Sequence, residues 1–282
     1  MARRDGICGN GDGSETLRAW GLGRTVRRPW RAGLISIVLS VILNAVGAPA
    51  AEFPKIKVSS NQRFLVTDNG APFVWIGDTL WDWYKLTPKE LDEYLDKRVA
   101  QGYTVIQLQV AAQGRATPDG RWCFGGADHK DITDPQEPFW RYSDEFLKKI
   151  EDRGLYAAVG LSWIVNYWNN HGARYSTTQL FEYGKWVGNR YKHRNNIIWL
   201  SINEATAPAV PDEKIEAVVD GIRQGDTGKK ILTIHPLAGT RTSGRYHDLV
   251  DFNSWQTARF LAPTQLPFAP GKRGGVPGNL TV

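Results

Sequence analysis

The sequence has 282 residues, of which 41% are hydrophobic and 23% are charged, and its formal net charge is +6. Without internal repeats, these values describe one ordinary globular domain. Seven arginines against three acids in residues 1–51 supply most of the positive charge, so the body of the chain is near neutral and has no basic stripe for nucleic acid.

The N-terminal segment has the order of an export signal. Four arginines at positions 24–31 precede an apolar run at residues 32–46, and small residues follow at 48–51. The run falls short of the roughly 20 residues that cross a bilayer. We therefore expect residues 1–51 to be a signal peptide cleaved near Ala50, an exported mature protein and no stable membrane span. An uncleaved anchor is the alternative.

The first elements after this signal are a hairpin and a helix. Residues 63–67 and 72–76 are β-prone, and the Asp-Asn-Gly sequence between them favours a tight turn. A helix is expected after Thr87, whose side chain can form a capping box with Glu90, and it ends at Gly102. The sequence thus predicts a short N-terminal β-hairpin element before the main fold.

Strands and helices then alternate. Further strands are predicted at residues 103–110, 155–161, 197–202, 230–234 and 249–252, and further helices at 142–153, 176–191 and 211–224. Such alternation indicates right-handed βαβ units around a parallel sheet. No glycine-rich dinucleotide fingerprint follows the first strand, which favours a TIM-type (β/α)8 barrel over an open doubly wound sheet.

The predicted barrel is short of elements. Six barrel strands can be counted, and a complete barrel takes about 250 residues. We therefore expect residues 52–270 to form a barrel truncated after about six strands, and residues 271–282 to be an irregular tail.

Polar and aromatic side chains cluster at the C-terminal ends of the predicted strands, where a barrel builds its active site. They are Asp78, Gln109, Trp163, Asn203, Glu204, His235, Asn253 and Gln256. Glu204, together with Asn203, directly follows the apolar strand predicted at residues 197–202. A barrel glycosidase needs a carboxylic acid there to protonate the leaving oxygen and then deprotonate water. A carboxylate that caps the next helix or faces solvent fits the same pattern.

Six short motifs point to a family. They are Trp75-Ile76-Gly77-Asp78-Thr79-Leu80-Trp81, Gly154-Leu155-Tyr156, Tyr183-Gly184-Lys185 leading to Asn196-Ile197-Ile198-Trp199, Gly221-Ile222-Arg223, Thr233-Ile234-His235-Pro236 and Asp251-Phe252-Asn253-Ser254-Trp255-Gln256-Thr257. In this order and at similar intervals, over residues 63–259, they resemble the apiosidase-like family of glycoside hydrolases.

The resemblance implies an eight-stranded barrel that cleaves glycosidic bonds with two carboxylates. It places the acid/base at Glu204. The Asn203-Glu204 ending is similar to that of the wider group of retaining barrel glycosidases, in which the Asn binds the sugar 2-hydroxyl, and this similarity implies the same role for Asn203. The family commonly has Gly-Gly-Asp where this chain has Ile202-Asn203-Glu204, so apiose specificity does not carry over. The second carboxylate, a Glu on strand seven, has no counterpart in the matched region. Asp78 and Asp251 are weak candidates for the nucleophile.

Other residues are expected to contact the sugar. His235 is expected to orient a substrate hydroxyl. Gln107 and Gln109 share one face of their strand, and Gln109 is the likelier ligand contact because it lies nearer the C-terminal end. Trp81, Trp163 and Trp255 are candidate stacking walls, with plain core packing as the alternative. Asp78, Asn253 and Gln256 complete the substrate-binding set. Asp78 is expected to bind a sugar hydroxyl, with the capping of a turn as the alternative.

No metal or cofactor is expected. The histidines are scattered, no pair has metal-ligand spacing, and hydrolysis needs no cofactor. Removal of Cys8 with the signal would leave Cys123 alone, as a bystander thiol rather than a nucleophile. The predicted function is hydrolysis of O-glycosidic bonds in a plant or bacterial saccharide. The alternative is a catalytically inactive carbohydrate-binding barrel, a pseudoenzyme or gene fragment.

Overall fold

A computed structural model describes residues 53–111, 115–163, 174–205, 211–227, 230–242, 245–254 and 256. The predicted signal segment and the predicted tail lie outside these residues. The strands are β1 (Ile56–Val58), β2 (Leu65–Thr67), β3 (Gly77–Thr79), β4 (Val105–Gln109), β5 (Phe124–Gly125), β6 (Asp131–Pro135), β7 (Tyr156–Trp163) and β8 (Ile197–Asn203). The helices are α1 (Pro88–Ala100), α2 (Glu137–Glu151), α3 (Thr177–Tyr191) and α4 (Asp212–Asp226), with a 3-10 turn at Trp83–Lys85.

Four strands form a parallel sheet in the order β3-β4-β7-β8. Helix α1 lies in the connection from β3 to β4, and α3 lies in the connection from β7 to β8. The connection from β4 to β7 contains β5, β6 and α2. The sheet continues past β8 through parallel bridges from Trp199 to Leu232 and from Asn203 to His235. The described part of the chain is therefore an α/β fold with a parallel sheet, as predicted.

Each face of the sheet has its own apolar cluster, because alternate side chains of a strand point to opposite faces. On one face, Ile106, Ala157 and Trp199 pack in a cluster with residues of all four helices. On the other face, Val105 and Tyr156 begin a second cluster, which β1 and β2 cover with their own buried residues. The polar strand ends discussed below continue this second face, which we call the inner face.

Helices α3 and α4 are in closer contact than two ordinary helices, because glycines line both surfaces. A Cβ atom on Gly221 would lie 2.2 Å from the Phe181 carbonyl oxygen, and one on Gly225 would lie 2.1 Å from that of Lys185. Gly184 and Gly188 make the same close approach from α3. The two backbones can therefore meet only where no side chain separates them.

Both predicted capping boxes are present. Thr87 and Glu90 exchange side-chain and backbone hydrogen bonds at the start of α1, and Ser176 and Gln179 do so at the start of α3. Each box satisfies two backbone N–H groups that a helix N-terminus leaves unpaired.

Other elements differ from the prediction. Helix α2 begins at Glu137 rather than near residue 142, because Pro138 in its first turn starts a helix well. The antiparallel pair β5–β6 was not predicted. The predicted strands at 230–234 and 249–252 form isolated bridges and single hydrogen bonds rather than regular strands.

The N-terminal pairing also differs. Strand β2 pairs antiparallel with β1, whereas residues 72–76 form only one bridge to it, from Pro72 to Val66. Pro72 lacks the N–H group that a regular ladder needs. The chain does turn back after β2, where the N–H of Gly70 donates to Thr67 at 2.9 Å.

Candidate active site at the C-terminal end of the sheet

A β-bulge shapes the end of β8. Val159 pairs with Trp199 and Gly160 pairs with Ser201, so Leu200 is one residue too many on its strand. Ser201 has a φ of 53° and Glu204 a φ of 60°, both in the left-handed region. Such a conformation costs roughly 1–3 kcal/mol in a residue other than glycine and is concentrated at functional sites. The two strained residues flank Asn203.

Asn203 is fully buried on the inner face, and its amide has no hydrogen-bond partner among the described residues, for either the nitrogen or the oxygen. The amide lies directly against Gly160. A Cβ atom at that position would be 2.4 Å from the Asn203 side-chain oxygen. Only glycine therefore leaves room for this amide. A buried amide without partners is costly unless a water molecule or a ligand completes its hydrogen bonds.

Glu204 follows Asn203 at the edge of the sheet and is half-buried. Burial raises the pKa of its carboxyl above the ordinary value. Desolvation disfavours the charged form, so this acid keeps its proton to a higher pH than an exposed glutamate does. A carboxyl group of this kind is suited to general acid catalysis.

Three more predicted residues are brought together beside Asn203. The Gln109 amide donates to the backbone oxygen of Trp81 at 3.3 Å. The Trp81 ring meets the His235 ring edge to face at 5.4 Å between centroids, and His235 bridges to Asn203 through the backbone. Burial lowers the pKa of His235 to about 4, so its imidazole is neutral at physiological pH.

Asp78 is placed elsewhere. It lies in the middle of β3, in register with Ile106, and therefore points toward the helices. Its carboxylate accepts hydrogen bonds from Arg98 and from the Tyr94 hydroxyl, the latter at 2.8 Å. Burial alone would raise its pKa, but these hydrogen bonds outweigh burial and lower it. The expectation that Asp78 reaches the sugar is not supported by this position.

Asp251 is likewise held by the fold. Its carboxylate accepts from Arg223 at 2.8 Å and from the backbone N–H of Leu232 at 2.7 Å. The carboxylates of Asp251 and Asp78 are thus both engaged in hydrogen bonds within the fold.

Asn253 and Gln256 lie in the segment beyond β8. The Phe252 carbonyl accepts from the Thr233 hydroxyl at 2.8 Å, which puts Asn253 next to the segment that carries His235. Asn253 is buried, and its side-chain oxygen accepts from Thr242 at 2.8 Å. The buried side-chain oxygen of Gln256 has no partner among the described residues. The side chain of Trp163 and all of Trp255 lie outside the described residues.

Two residues of this site were missed by the sequence analysis. Gly160 carried a usable signal, because an isolated glycine inside a strand indicates a bulge or a close approach of another group. Ser201 carried none, because a serine in a strand does not announce a left-handed conformation.

No group of three or more metal-binding side chains occurs among the described residues. None of the helices in the described part of the chain combines the length and hydropathy that crossing a bilayer requires.

Comparison with known proteins decides the family. The family model of the apiosidase-like catalytic domain matches residues 59–268. The chain belongs to this family. The predicted resemblance is thus confirmed, and a glycosidase is the general class of enzyme that the apiosidase-like family and fold support.

Solved structures that are similar to this chain include glycoside hydrolases. A glycoside hydrolase family 5 protein from Bacteroides vulgatus ATCC 8482 is 28% identical, with a TM-score of 0.63, over 72% of this chain and 44% of that one. A second structure, named a glycoside hydrolase, is 26% identical, with a TM-score of 0.64, over 78% of this chain and 49% of that one. This apiosidase-like chain thus spans about half the length of the structures it matches. No curated protein shows a significant match.

Proposed function

We propose that this apiosidase-like chain is the catalytic barrel of a glycosidase, which hydrolyses O-glycosidic bonds in a plant or bacterial oligosaccharide or polysaccharide. The observation that carries the proposal is the pair at the end of β8. There a half-buried carboxyl with a raised pKa, Glu204, follows a fully buried amide, Asn203, that has no hydrogen-bond partner among the described residues. An acid and a hydroxyl-binding amide at one strand end are what glycoside cleavage requires.

Glu204 acts as the acid/base. In its protonated form it donates to the glycosidic oxygen as the bond to the sugar breaks, so that the leaving group departs as a neutral alcohol. In a retaining mechanism a second carboxylate bonds to the anomeric carbon as the leaving group departs, and water then displaces it. The deprotonated Glu204 removes a proton from this water, which restores the acid. A raised pKa favours the first step, because more of the carboxyl carries its proton near neutral pH.

The neighbouring side chains bind the sugar. A substrate hydroxyl completes the hydrogen bonds of the Asn203 amide, whose donor and acceptor match a hydroxyl group. The neutral His235 imidazole orients a second hydroxyl without introducing a charge. Trp81 and Gln109 form the wall beside it. Every one of these interactions is directed at an uncharged, hydroxyl-rich ring.

The test is Glu204→Gln, measured on oligosaccharides and on aryl glycosides in the full-length chain. Turnover of oligosaccharides should fall about 10²–10⁴-fold, because a poor leaving group needs the proton. Aryl glycosides with acidic phenols should lose less in the bond-breaking step. The matched control is Glu216→Gln, an exposed glutamate on α4, which should leave turnover unchanged.

Unchanged hydrolysis of oligosaccharides by Glu204→Gln would show that another group is the acid. Saccharide binding by the wild-type chain with no hydrolysis of any glycoside would instead favour the inactive carbohydrate-binding barrel.

A further inference from the structure

A cleft lies on the β5–β6 pair and is lined by none of the residues assigned above. It has a volume of about 380 Å³, and its lining includes Arg121, Trp122, Gly125, His129, Asp134 and Gln136. None of these residues was among the predicted site residues. The cleft combines aromatic rings with polar side chains, a combination that fits a small ligand with one apolar face.

The aromatic part is a stacked pair of rings. Trp122 and His129 are both half-buried and lie face to face, with 3.9 Å between ring centroids and 12° between planes. His129 has a φ of 53°, so the turn is held in a left-handed conformation that presents its ring to the indole. Stacking and the strained turn together make a flat platform. Such a platform packs well against the C–H face of a sugar ring.

The polar part is built around a glycine. A Cβ atom on Gly125 would lie 1.8 Å from a carboxylate oxygen of Asp134 and 3.0 Å from the side-chain nitrogen of Gln136. Only glycine therefore lets both side chains lie across this point. Within the described residues, no hydrogen bond or ion pair reaches the exposed Asp134 carboxylate. The Asp134 carboxylate can accept a hydrogen bond from one sugar hydroxyl, and the Gln136 amide nitrogen can donate to the next.

The cleft is connected to the C-terminal end of the parallel sheet, where the candidate active site lies. The β5–β6 pair belongs to the connection that leaves the C-terminal end of β4, where Gln109 lies. Phe124 of β5 packs on Tyr183 at 5.5 Å between ring centroids. The Tyr183 hydroxyl in turn donates to the carbonyl of Leu161, near the end of β7, at 3.1 Å. Phe124, which lines the cleft, is thus linked to the C-terminal part of β7, next to the strand that Glu204 follows.

The charges limit the ligand. The Arg121 guanidinium in the lining is paired with Asp119 at 2.6 Å, so its positive charge is already compensated. The carboxylate of Asp134 remains and would repel an anion. An acidic sugar or a phosphate is therefore disfavoured, and a neutral sugar is favoured.

We propose that this cleft is a carbohydrate subsite, in which Trp122 stacks on a neutral sugar while Asp134 and Gln136 bind its hydroxyls. The proposal rests on the proposed function, because the sugar bound here is a further unit of the same oligosaccharide that Glu204 cleaves. The subsite therefore contributes to the affinity for longer chains and not to the bond-breaking step.

The experiment measures binding, without hydrolysis, in the full-length Glu204→Gln chain. Calorimetry with neutral plant and bacterial oligosaccharides of two to six units supplies dissociation constants. Adding Trp122→Ala should weaken the longer oligosaccharides about 10-fold, as expected for loss of a tryptophan anchor. It should leave the shortest unchanged. Phe64→Ala removes an exposed aromatic outside the cleft and should change neither.

Two further variants protect the test from a folding defect. Trp122→Phe keeps a ring and should recover most of the affinity. Asp134→Asn keeps the side-chain volume, and it should weaken neutral oligosaccharides while reducing the discrimination against those with uronic acids.

The proposal is overturned if no oligosaccharide binds, or if Trp122→Ala and Asp134→Asn bind every oligosaccharide as tightly as their parent. Failure of the proposed function looks different. In that case Glu204→Gln leaves hydrolysis intact, whatever Trp122→Ala does to binding.

Discussion

At the scale of single residues, the site depends on groups that are held in unfavourable surroundings. Asn203 is buried without partners, Glu204 is half-buried in a left-handed conformation, and His235 is buried and neutral. Each arrangement costs stability in the free protein, and under the proposed function a hydroxyl-rich ligand that fills the inner face would offset this cost. The predicted residues Trp81, Gln109, Asn203 and His235 do come together, whereas Asp78 does not.

The buried imidazole predicts an acid-sensitive fold. Burial lowers the pKa of His235 from 6.5 to about 4, so between these values the unfolded chain binds a proton more readily than the folded chain. The stability due to neutral His235 is fully present above pH 6.5 and is lost as the pH falls through 4. It amounts to about 3 kcal/mol at about 1.4 kcal/mol per pKa unit. Urea unfolding of His235→Gln across this range should show a weaker pH dependence than the wild type. Parallel curves would contradict it.

Gly160→Ala should disturb Asn203 directly. The new Cβ atom would overlap a buried amide, and overpacking of this kind costs about 1–3 kcal/mol. Removing the amide should remove the conflict. We therefore expect Gly160→Ala to destabilise the wild type in urea unfolding, and to have little effect in an Asn203→Ala background. Additive effects of the two substitutions, within about 0.5 kcal/mol, would show that the two side chains do not conflict.

At the scale of elements, helix starts were predictable and helix contacts were less so. Capping boxes act between residues three apart, so Thr87 and Ser176 were recognisable from their neighbours. The contact of α3 with α4 depends on two glycine pairs, each four residues apart, in segments far apart in sequence. The spacing is visible in the sequence, but which helix faces which is decided by the tertiary fold.

Gly225→Ala tests this contact, because its expected effect on stability is opposite to the effect in an isolated helix. In an isolated helix, alanine is more favourable than glycine by about 1 kcal/mol. Here the new Cβ atom would meet the Lys185 carbonyl oxygen and the Asn189 nitrogen, and backbone atoms cannot turn aside. We expect a loss of about 2–3 kcal/mol in urea unfolding. Gln224→Ala, an exposed neighbour on α4, should stay within about 0.5 kcal/mol of the wild type. Stabilisation by Gly225→Ala would rule out the close contact.

At the scale of the whole molecule, the parallel α/β arrangement and the apiosidase-like family agree with the prediction, and export remains a proposal. The order of basic, apolar and small residues before residue 52 supports a cleavable signal. The near-neutral body that follows would suit a secreted enzyme acting on neutral saccharides.

Export predicts a shortened chain outside the cytoplasm. Mass spectrometry of the protein from its native host should find a mature N-terminus near Ala50. Val41→Arg interrupts the apolar run and should leave an uncleaved precursor inside the cell, because a charge in this region prevents insertion. A soluble cytoplasmic chain that begins at Met1 would contradict the proposal.

The sequence by itself determined the alternation of strands and helices, the helix caps and the family, because each depends on local spacing or on an ordered set of motifs. Only the tertiary structure decided which side chains share a face. Asp78 ended an apparent strand, yet the register of β3 turned its carboxylate toward Arg98. The bulge at Ser201 and the gap at Gly160 set the position of Asn203 through contacts between strands. Strand register and bulges arise from pairing between distant segments, and neighbouring residues in the chain do not encode that pairing.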